Sequence, residues 1–314
     1  MTQPPLRLVL VLSENWTLVS PRDLRGVVQI AVEAEAAGVD CVMVSEHVVM
    51  GPSSGAAGVM TNPRDYALPG NQEPDTPWPD SMVLLSAIAA VTTRLRLALG
   101  AIIAPLRHPL LLAKQLATLD LLSEGRLVVL PTVSWHRDEY EALGVPFNRR
   151  GALLDEHLAA WRACWRDSPA SFEGQHYAFR DVYVEPKPYR PEGPTMWFGG
   201  STIHDRLLRR IVEYGHGFNP LGQPTPEELQ RLDAAMRAAG RDAADLEWVG
   251  GIRGRFEGAD DLADVDEALE AVPVQVARGF RSICFKPSMF TNDAADVGRL
   301  CRHVVERANA LAAG

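Results

Sequence analysis

The feature of this chain that most constrains its fold is a regular alternation between short aliphatic or β-branched runs and longer segments with helical apolar spacing. Eight such units follow one another. The predicted strands are residues 6–12, 41–45, 95–99, 127–130, 196–198, 217–220, 247–252 and 281–286. The helices predicted after them are residues 21–37, 80–92, 109–122, 150–167, 203–214, 226–239, 261–277 and 294–312. Because strands separated by helices run parallel and eight of them can close a sheet, the pattern predicts a (β/α)8 TIM barrel.

Two segments interrupt the alternation. Residues 171–184 alternate aromatic side chains around Glu173-Gly174, which predicts an inserted β-hairpin. The loop between the second strand and the second helix, the β2–α2 loop, is rich in Pro and Gly and far longer than usual, which is typical of a lid or of a disordered segment. Met60, Tyr66 and Trp78 provide apolar anchors and favour a lid over the barrel mouth. A doubly wound sheet is the alternative architecture, but no GxGxxG motif follows the first strand. We therefore expect one α/β domain over residues 1–314.

Composition and charge exclude several classes of protein. Of the 314 residues, 46% are hydrophobic and 23% are charged, which is typical of a globular chain and not of a disordered or fibrous one. The formal charge of −9 gives no electrostatic reason to bind nucleic acid or an anionic membrane. The apolar run at residues 8–12 is too short for a signal or membrane segment. We expect a cytoplasmic protein that acts on a small-molecule substrate.

Cysteine and histidine spacing gives no sign of a metal site. The four cysteines lack zinc-ligand spacing and are predicted to be reduced and buried: Cys41, Cys164, Cys284 and Cys301. No HxH motif ends the first strand, which argues against a metal-dependent barrel hydrolase. Three of the scattered histidines are predicted to lie on solvated surfaces: His136, His157 and His176.

The carboxyl ends of the strands are the positions at which a barrel carries its chemistry. The second strand is followed by Glu46 and His47, and a histidine there can give or take a proton near neutral pH. The alternative is a structural histidine bonded within a loop. Gly100 follows the third strand, where glycine permits either an unusual backbone or a simple tight bend. The fifth strand leads through Gly199 and Gly200 into a helix, whose free amides suit a phosphate. The alternative is that Ser201 or Thr202 only caps this helix.

The order of four longer motifs resembles that of the luciferase-like monooxygenase superfamily and, within it, the branch that uses coenzyme F420. These motifs are AGVDCVMVSEHV at 37–48, AAVTTRLRLALGAIIAPLRHPLLLAKQLATLDLLSEGRL at 89–127, WHRDEYEALGVPFNRRG at 135–151 and PKPYRPEGPTMWFGGS at 186–201. The resemblance covers residues 7–222. It implies a flavin- or deazaflavin-dependent oxidoreductase that uses coenzyme F420. The alternative is an FMN-dependent monooxygenase supplied by a separate flavin reductase.

Carried over residue by residue, the resemblance implies a catalytic pair. Glu46 and His47 would lie beside the reactive ring, with His47 as the proton donor or acceptor. The peptide bond between Gly100 and Ala101 would be cis and would place the backbone against one face of the ring. Trp135 would flank the ring or the substrate.

The remaining cofactor contacts include a departure from the family pattern. The resemblance implies that three residues receive the cofactor phosphate: Gly199, Gly200 and Ser201. Relatives carry a GVGxGW run after the fourth strand, whereas this chain reads LPTVSW at 130–135. Thr132 and Ser134 are therefore predicted to offer hydroxyl groups to the cofactor where relatives bring bare backbone close to it. A cofactor-less barrel that acts as a binding or regulatory protein is the alternative of another class.

Two helical segments carry further expectations. Arg137, Asp138 and Glu139 are predicted to be ordinary residues at the start of a helix. The third helix has more apolar positions than one barrel face needs, and relatives often pair through helices, so a homodimer is expected. The apolar stripe consists of Leu110, Leu111, Ala113, Leu116 and Ala117.

Overall fold

Eight parallel strands form a closed barrel in the computed structural model, which describes residues 6–313. The barrel strands are β1 (Arg7–Val11), β2 (Cys41–Val44), β3 (Arg96–Ile103), β4 (Leu127–Thr132), β7 (Thr195–Gly200), β8 (Gly217–Pro220), β9 (Glu247–Gly251) and β10 (Ser282–Phe285). The order around the barrel is β1-β10-β9-β8-β7-β4-β3-β2, and β1 pairs with both β2 and β10. The predicted TIM barrel is thus confirmed.

The helices surround this barrel. They are α1 (Leu24–Ala36), α2 (Ser81–Ala89), α3 (Pro109–Leu122), α4 (Arg137–Ala142), α5 (Arg150–Arg166), α6 (Asp205–Tyr214), α7 (Pro226–Ala238), α8 (Val265–Leu269), α9 (Val272–Ala277) and α10 (Val297–Ala313). The single helix predicted at 261–277 is instead two short helices. Pro273 lies in the first turn of α9, and because proline has no amide hydrogen it cannot continue the preceding helix.

Both faces of the strands are buried, which explains why the strands appear as nearly continuous apolar runs. In β1, Leu8 and Leu10 belong to the layer between the barrel and the helices, whereas Val9 and Val11 belong to the inner cluster of the barrel. The remaining buried members of that inner cluster are Cys41, Met43, Ala98, Val128, Leu130, Trp197, Val249 and Cys284. All four cysteines are buried and free, as predicted.

The predicted hairpin lies outside the barrel sheet. It consists of β5 (Ala170–Glu173) and β6 (Ala178–Val182), which pair in antiparallel fashion with Phe172 opposite Phe179. Glu156 of α5 accepts hydrogen bonds from backbone amides in the turn, at 2.8 Å from Gln175 and 3.0 Å from Tyr177. A helix carboxylate therefore fixes the turn of the insertion.

The β2–α2 loop lies across the carboxyl end of the barrel, and we call residues 48–80 the strap. Near its start, the Gly51 amide donates to His136 Nε2 at 2.8 Å, and the Ser53 amide donates to Asp138 Oδ2 at 2.9 Å. Both partners follow β4. The strap is therefore fixed to the β4 side of the mouth before it crosses.

The middle of the strap is fixed on the other side of the mouth. Asn62 donates to the carbonyl of Gly258 at 3.0 Å, and Asp65 forms a 2.6 Å ion pair with Arg253. Gly258 and Arg253 both follow β9. Lys286, directly after β10, donates to the carbonyl of Asp65 at 2.7 Å. The strap thus covers the mouth from the β4 side to the β9 and β10 side.

Two kinds of feature are absent from residues 6–313. None of the helices there is long and apolar enough to cross a membrane. Within the same span, His, Cys, Asp and Glu side chains form no group that could hold a metal ion.

Candidate functional site

A buried histidine–carboxylate pair lies directly after β2. His47 is 8% exposed, and its Nδ1 lies 3.3 Å from Oε2 of Glu139, which is fully buried on α4. The other oxygen of Glu139 accepts the Val48 amide at 2.6 Å. Because a carboxylate only accepts hydrogen bonds, this contact assigns a hydrogen to Nδ1 of His47. Nε2, the other ring nitrogen, takes no part in the contact with Glu139. Sequence reasoning placed Glu139 among ordinary helix-start residues and missed this contact.

Aromatic rings surround His47. The ring of Trp78, from the strap, lies at 5.0 Å between centroids, and the ring of Trp135 lies at 5.7 Å. Trp135 was singled out from the sequence, and the structure brings it next to His47. Trp78 was expected from the sequence only as an apolar anchor of the lid, and the structure also brings it next to His47.

Two histidines expected on the surface are fully buried, so that prediction is wrong for both. His136 lies 6.0 Å from the ring of His47, and burial lowers its pKa. Its Nε2 accepts the Gly51 amide, whereas its Nδ1 is buried without a partner among the described residues. His157 lies on α5 between the carbonyls of Leu153 and Arg107, at 2.8 and 2.9 Å.

Glu46 is engaged by three parts of the chain. Arg107 donates to both of its oxygens, at 2.7 and 2.9 Å. The Ile103 amide donates to it at 2.9 Å, and the Ser81 hydroxyl donates at 3.1 Å. This bonding joins the ends of β2 and β3 to the start of α2. A catalytic role for Glu46 stays a prediction, and the contacts favour a positioning role.

The peptide bond between Gly100 and Ala101 is cis, as the resemblance implied. The pairing of β3 with β4 shifts register between Gly100 and Ile102, so the strand bulges at this point. The Ser45 hydroxyl donates to the Gly100 carbonyl at 2.8 Å. A Cβ atom on Gly100 would lie 2.8 Å from Cγ of Met43, so the side of the residue that faces the barrel interior has no room for a side chain.

Ser134 stands at a position where the resemblance implies a glycine. Its φ is 57°, in the left-handed region that favours glycine. Its hydroxyl donates to Oε2 of Glu139 at 3.3 Å and accepts the His136 amide at 3.2 Å. Thr132 is half-buried at the end of β4, opposite Ile103. The Ser134 hydroxyl therefore supports the His47–Glu139 pair, and cofactor binding by Thr132 and Ser134 stays a prediction.

The double glycine after β7 has a packing explanation. A Cβ on Gly200 would lie 2.7 Å from Cδ2 of Leu207, and a Cβ on Gly199 would lie 3.1 Å from the carbonyl of Asn219. Both positions therefore require a small residue for contacts within the protein. Whether Gly199 and Gly200 also bind a phosphate stays a prediction.

Helix α6 begins later than the sequence suggested. Its N-cap is His204, so the alternative that Ser201 or Thr202 caps the helix is wrong. The Ile203 amide donates to Oε1 of Glu228 at 2.7 Å, so a carboxylate already occupies one amide at this end of α6. Ser201 is exposed just before it.

A second polar group lies beneath the strap. Lys286 follows β10 and is 1% exposed, and burial lowers its pKa to about 8. Glu14 follows β1 and is 7% exposed, and burial raises its pKa. The hydroxyl of Tyr66, a strap residue packed against the inner cluster, is buried. Tyr66 was expected from the sequence only as an apolar anchor of the lid. Lys286 and Glu14 were not singled out, because the three residues lie far apart along the chain.

A cleft of about 310 Å³ lies at the other end of the barrel, near the starts of β7 and β8. Three of the charged residues that line it are bonded within the protein. Arg162 forms an ion pair with Glu213 at 3.0 Å, and Arg241 donates to the carbonyl of Val212 at 2.7 Å. Its position and its bonding separate it from the barrel mouth.

The sequence of the chain is similar to those of two groups of known proteins. An uncharacterized protein of Mycobacterium tuberculosis is 35% identical over 214 residues, which are 67% of this chain and 73% of that protein. The FMNH(2)-dependent dimethylsulfone monooxygenase of Pseudomonas putida is 32% identical over 139 residues, which are 43% of this chain and 38% of that protein.

Solved structures with low sequence identity share the barrel. The monooxygenase RslO1 from Streptomyces bottropensis superimposes with a TM-score of 0.73 at 20% identity, covering 96% of this chain and 98% of that one. The coenzyme F420 dependent tetrahydromethanopterin reductase from Methanopyrus kandleri gives a TM-score of 0.67 at 12% identity, covering 97% of this chain and 98% of that one. At these identities the likeness shows the fold.

The family assignment comes from a match that spans most of the chain. The model of the luciferase-like monooxygenase family matches residues 7–281, from the first barrel strand to the residue before the last one. This protein therefore belongs to the luciferase-like monooxygenase family, whose members are flavin-dependent monooxygenases and oxidoreductases.

Proposed function

We propose that this enzyme is a flavin- or deazaflavin-dependent oxidoreductase that transfers a hydride to or from a small organic substrate, or oxygenates it, beneath the strap. The observation that carries the proposal is the buried His47–Glu139 pair at the carboxyl end of the barrel, where barrel enzymes carry their sites. Proton transfer must accompany most hydride and oxygen transfers to organic substrates. A histidine held by a buried carboxylate can supply it.

Each residue has a distinct part in this proposal. His47 donates or accepts the proton through Nε2, while Glu139 fixes its ring orientation through Nδ1. Trp78 and Trp135 pack beside the imidazole and limit the access of water. Glu46 positions the segment that carries His47 through its bonds to Arg107.

The cofactor we propose is coenzyme F420 or FMN, which supplies two-electron redox chemistry when bound. The mouth suits a flat polar ring, because His136 Nδ1, Glu14 Oε1 and the Tyr66 hydroxyl are buried there without partners among the described residues. At the other end of the cofactor, we propose that Gly199, Gly200 and Ser201 receive the phosphate. Glu228 already accepts a hydrogen bond from the nearby Ile203 amide. Phosphate binding would therefore use the backbone amides of Gly199, Gly200 and Ser201 and the Ser201 hydroxyl, all of which precede Ile203.

A second candidate is an FMN-dependent monooxygenase supplied by a separate flavin reductase. The similarity to the FMNH(2)-dependent dimethylsulfone monooxygenase of Pseudomonas putida favours it. It uses the same fold and the same residues as the first candidate. The cytoplasmic location and the homodimer remain predictions from the sequence.

The test is a titration of the purified protein with FMN, reduced FMN and coenzyme F420, followed by absorption and fluorescence. We expect one of them to bind with a perturbed visible band. Ser201→Asp should weaken this binding at least about tenfold, because a carboxylate at the proposed site repels phosphate. Ser20→Asp, at an exposed site before α1, is the matched control and should leave the affinity unchanged. If the folded protein binds none of the three, the proposal fails and the cofactor-less binding protein replaces it.

A further inference from the structure

Lys286 is a buried cation with unused hydrogen-bonding capacity. Its ammonium group carries three donors, and among the described residues it makes one hydrogen bond, to the carbonyl of Asp65 at 2.7 Å. No carboxylate among residues 6–313 lies within 4.0 Å of it. A buried charge is costly unless it is paired, so such a group in a barrel mouth indicates a binding role.

Glu14 is the acidic counterpart of Lys286. Its Oε1 is buried without a hydrogen-bond partner among the described residues, and it lies near enough to Lys286 and His47 for their charges to favour its ionised form. Its backbone has a φ of 55°, a conformation that non-glycine residues adopt rarely and mostly at functional sites. The carboxylate therefore has acceptor capacity that the described residues do not fill.

Tyr66 brings a third polar group to the same place from the strap. Its ring packs against the inner cluster of the barrel, and its hydroxyl is buried without a partner among the described residues. Asp65, directly before it, holds both Lys286 and Arg253. Three segments of the chain thus place a donor, an acceptor and a hydroxyl under the strap, and more than nine in ten buried polar groups in native proteins have partners.

We propose that Lys286, Glu14 and Tyr66 form a subsite for the edge of a neutral amide or lactam, in which a carbonyl oxygen adjoins an N–H group. The carbonyl accepts from Lys286 and the N–H donates to Glu14, while the Tyr66 hydroxyl bonds to either. Opposite charges on the two side chains select a neutral ligand, since a carboxylate would face Glu14 and an amine would face Lys286. This inference rests on the proposed function and names the substrate class of that site.

Two molecules carry this chemistry: a lactam substrate and the pyrimidinedione edge of a flavin or deazaflavin. In the experiment, the protein is titrated with uracil and with 1,3-dimethyluracil, and binding is followed by saturation-transfer NMR. 1,3-Dimethyluracil keeps the carbonyls of uracil and lacks its N–H groups. FMN and coenzyme F420 are titrated in parallel. We expect uracil to bind at least about tenfold more tightly than 1,3-dimethyluracil, because an unpaired buried carboxylate rejects a ligand that lacks the donor.

The variants identify the residues responsible. Lys286→Met and Glu14→Gln should each weaken uracil binding roughly tenfold to a hundredfold. Lys114→Met is the matched control, because Lys114 also donates one 2.7 Å hydrogen bond to a backbone carbonyl but lies on the surface, and it should change nothing. Tyr66→Phe removes a single hydroxyl, so it keeps the proposal testable if the charge variants fail to fold. It should weaken binding by about threefold to tenfold.

The outcomes distinguish a lactam substrate from the cofactor ring as the ligand of this subsite, and they also distinguish failure of the subsite from failure of the proposed function. If uracil does not bind and Lys286→Met weakens FMN or F420 binding instead, the subsite recognises the cofactor ring. If uracil binding responds as expected while neither cofactor binds, the subsite stands and the proposed function falls. If Lys286→Met and Tyr66→Phe leave the affinities for uracil and for both cofactors unchanged, the buried polar atoms hold only water and the inference is wrong.

Discussion

Replacing Lys286 by Met should make the protein more stable at neutral pH, although it removes a hydrogen bond. Burial lowers the pKa of this ammonium from its usual 10.5 to about 8. At about 1.4 kcal/mol for each pKa unit, keeping Lys286 charged in the folded state costs about 3 kcal/mol at pH 7. Met fills a similar volume without a charge. The substitution also leaves the Asp65 carbonyl without its donor, and this loss reduces the gain in stability by about 1 kcal/mol. We expect a net gain of about 2 kcal/mol in the free energy of unfolding.

The gain should depend on pH in a defined window. Below pH 8 both the folded and the unfolded protein hold the proton of Lys286, and the full cost of the buried charge is present. Between pH 8 and 10.5 the folded protein releases the proton first, so the wild type gains stability relative to the variant. Above pH 10.5 the difference in the free energy of unfolding between the variant and the wild type should fall to the small contribution of the lost hydrogen bond.

Urea denaturation of both proteins at pH 7 and at pH 10, followed by circular dichroism, measures this difference. Lys114→Met provides the control, since a surface substitution of this kind changes stability by less than about 0.5 kcal/mol. The reasoning would be refuted by a Lys286→Met variant that is less stable than the wild type at pH 7. A stability difference that stays constant from pH 7 to pH 10 would refute it equally.

Three further predictions concern the other side of the mouth. His47→Ala should lower turnover by about 10²- to 10⁴-fold, and unchanged turnover would remove His47 from the mechanism. Because the substitution also leaves the buried Glu139 carboxylate without this partner, turnover is measured at a temperature at which the variant is folded. Glu139→Gln keeps the size of the side chain but removes the carboxylate that fixes the His47 ring. It should lower kcat more than it raises KM and should shift the pH profile of kcat/KM. Glu139→Asp keeps a carboxylate and should restore part of the rate. An unaltered pH profile would show that Glu139 has only a structural role. Arg107→Leu leaves the Glu46 carboxylate buried without its cation and should destabilise the fold by about 3–5 kcal/mol in urea denaturation, so a loss below about 1 kcal/mol would contradict the role given to this pair.

The barrel could be predicted from the sequence because its signals are local. Each strand is a short apolar run, and the interval between runs has room for one helix. The predicted bounds of α3 and β8 agree with the structure, since Pro109 begins α3 and Gly217–Pro220 is a compact run. The prediction failed at α8 and α9, where continuous helical spacing hid the interruption at Pro273.

The site could be predicted only in part, because its contacts join distant segments. His47 was found from its place after β2, but its partner Glu139 lies 92 residues later on a short helix that the alternation did not predict. Lys286 and Asp65 are 221 residues apart, and nothing in the pattern around either residue indicates the other. Burial of His136 was likewise invisible, since it depends on the strap that lies over it.

The strap has a consequence for the order in which the ribosome can complete this enzyme. Asp65 and its partner Arg253 are 188 residues apart, and the Arg64 guanidinium bonds to Asn292, which is 228 residues away. The strap emerges early, yet its anchors on the β9 and β10 side do not exist until nearly the whole chain has been made. Contacts of such long range form late, because the entropy of closing the loop must be lost before they contribute. A nascent chain that ends before β9 therefore holds His47 without the anchored cover, so the proposed ligand binding beneath the strap requires a chain that extends through Asn292.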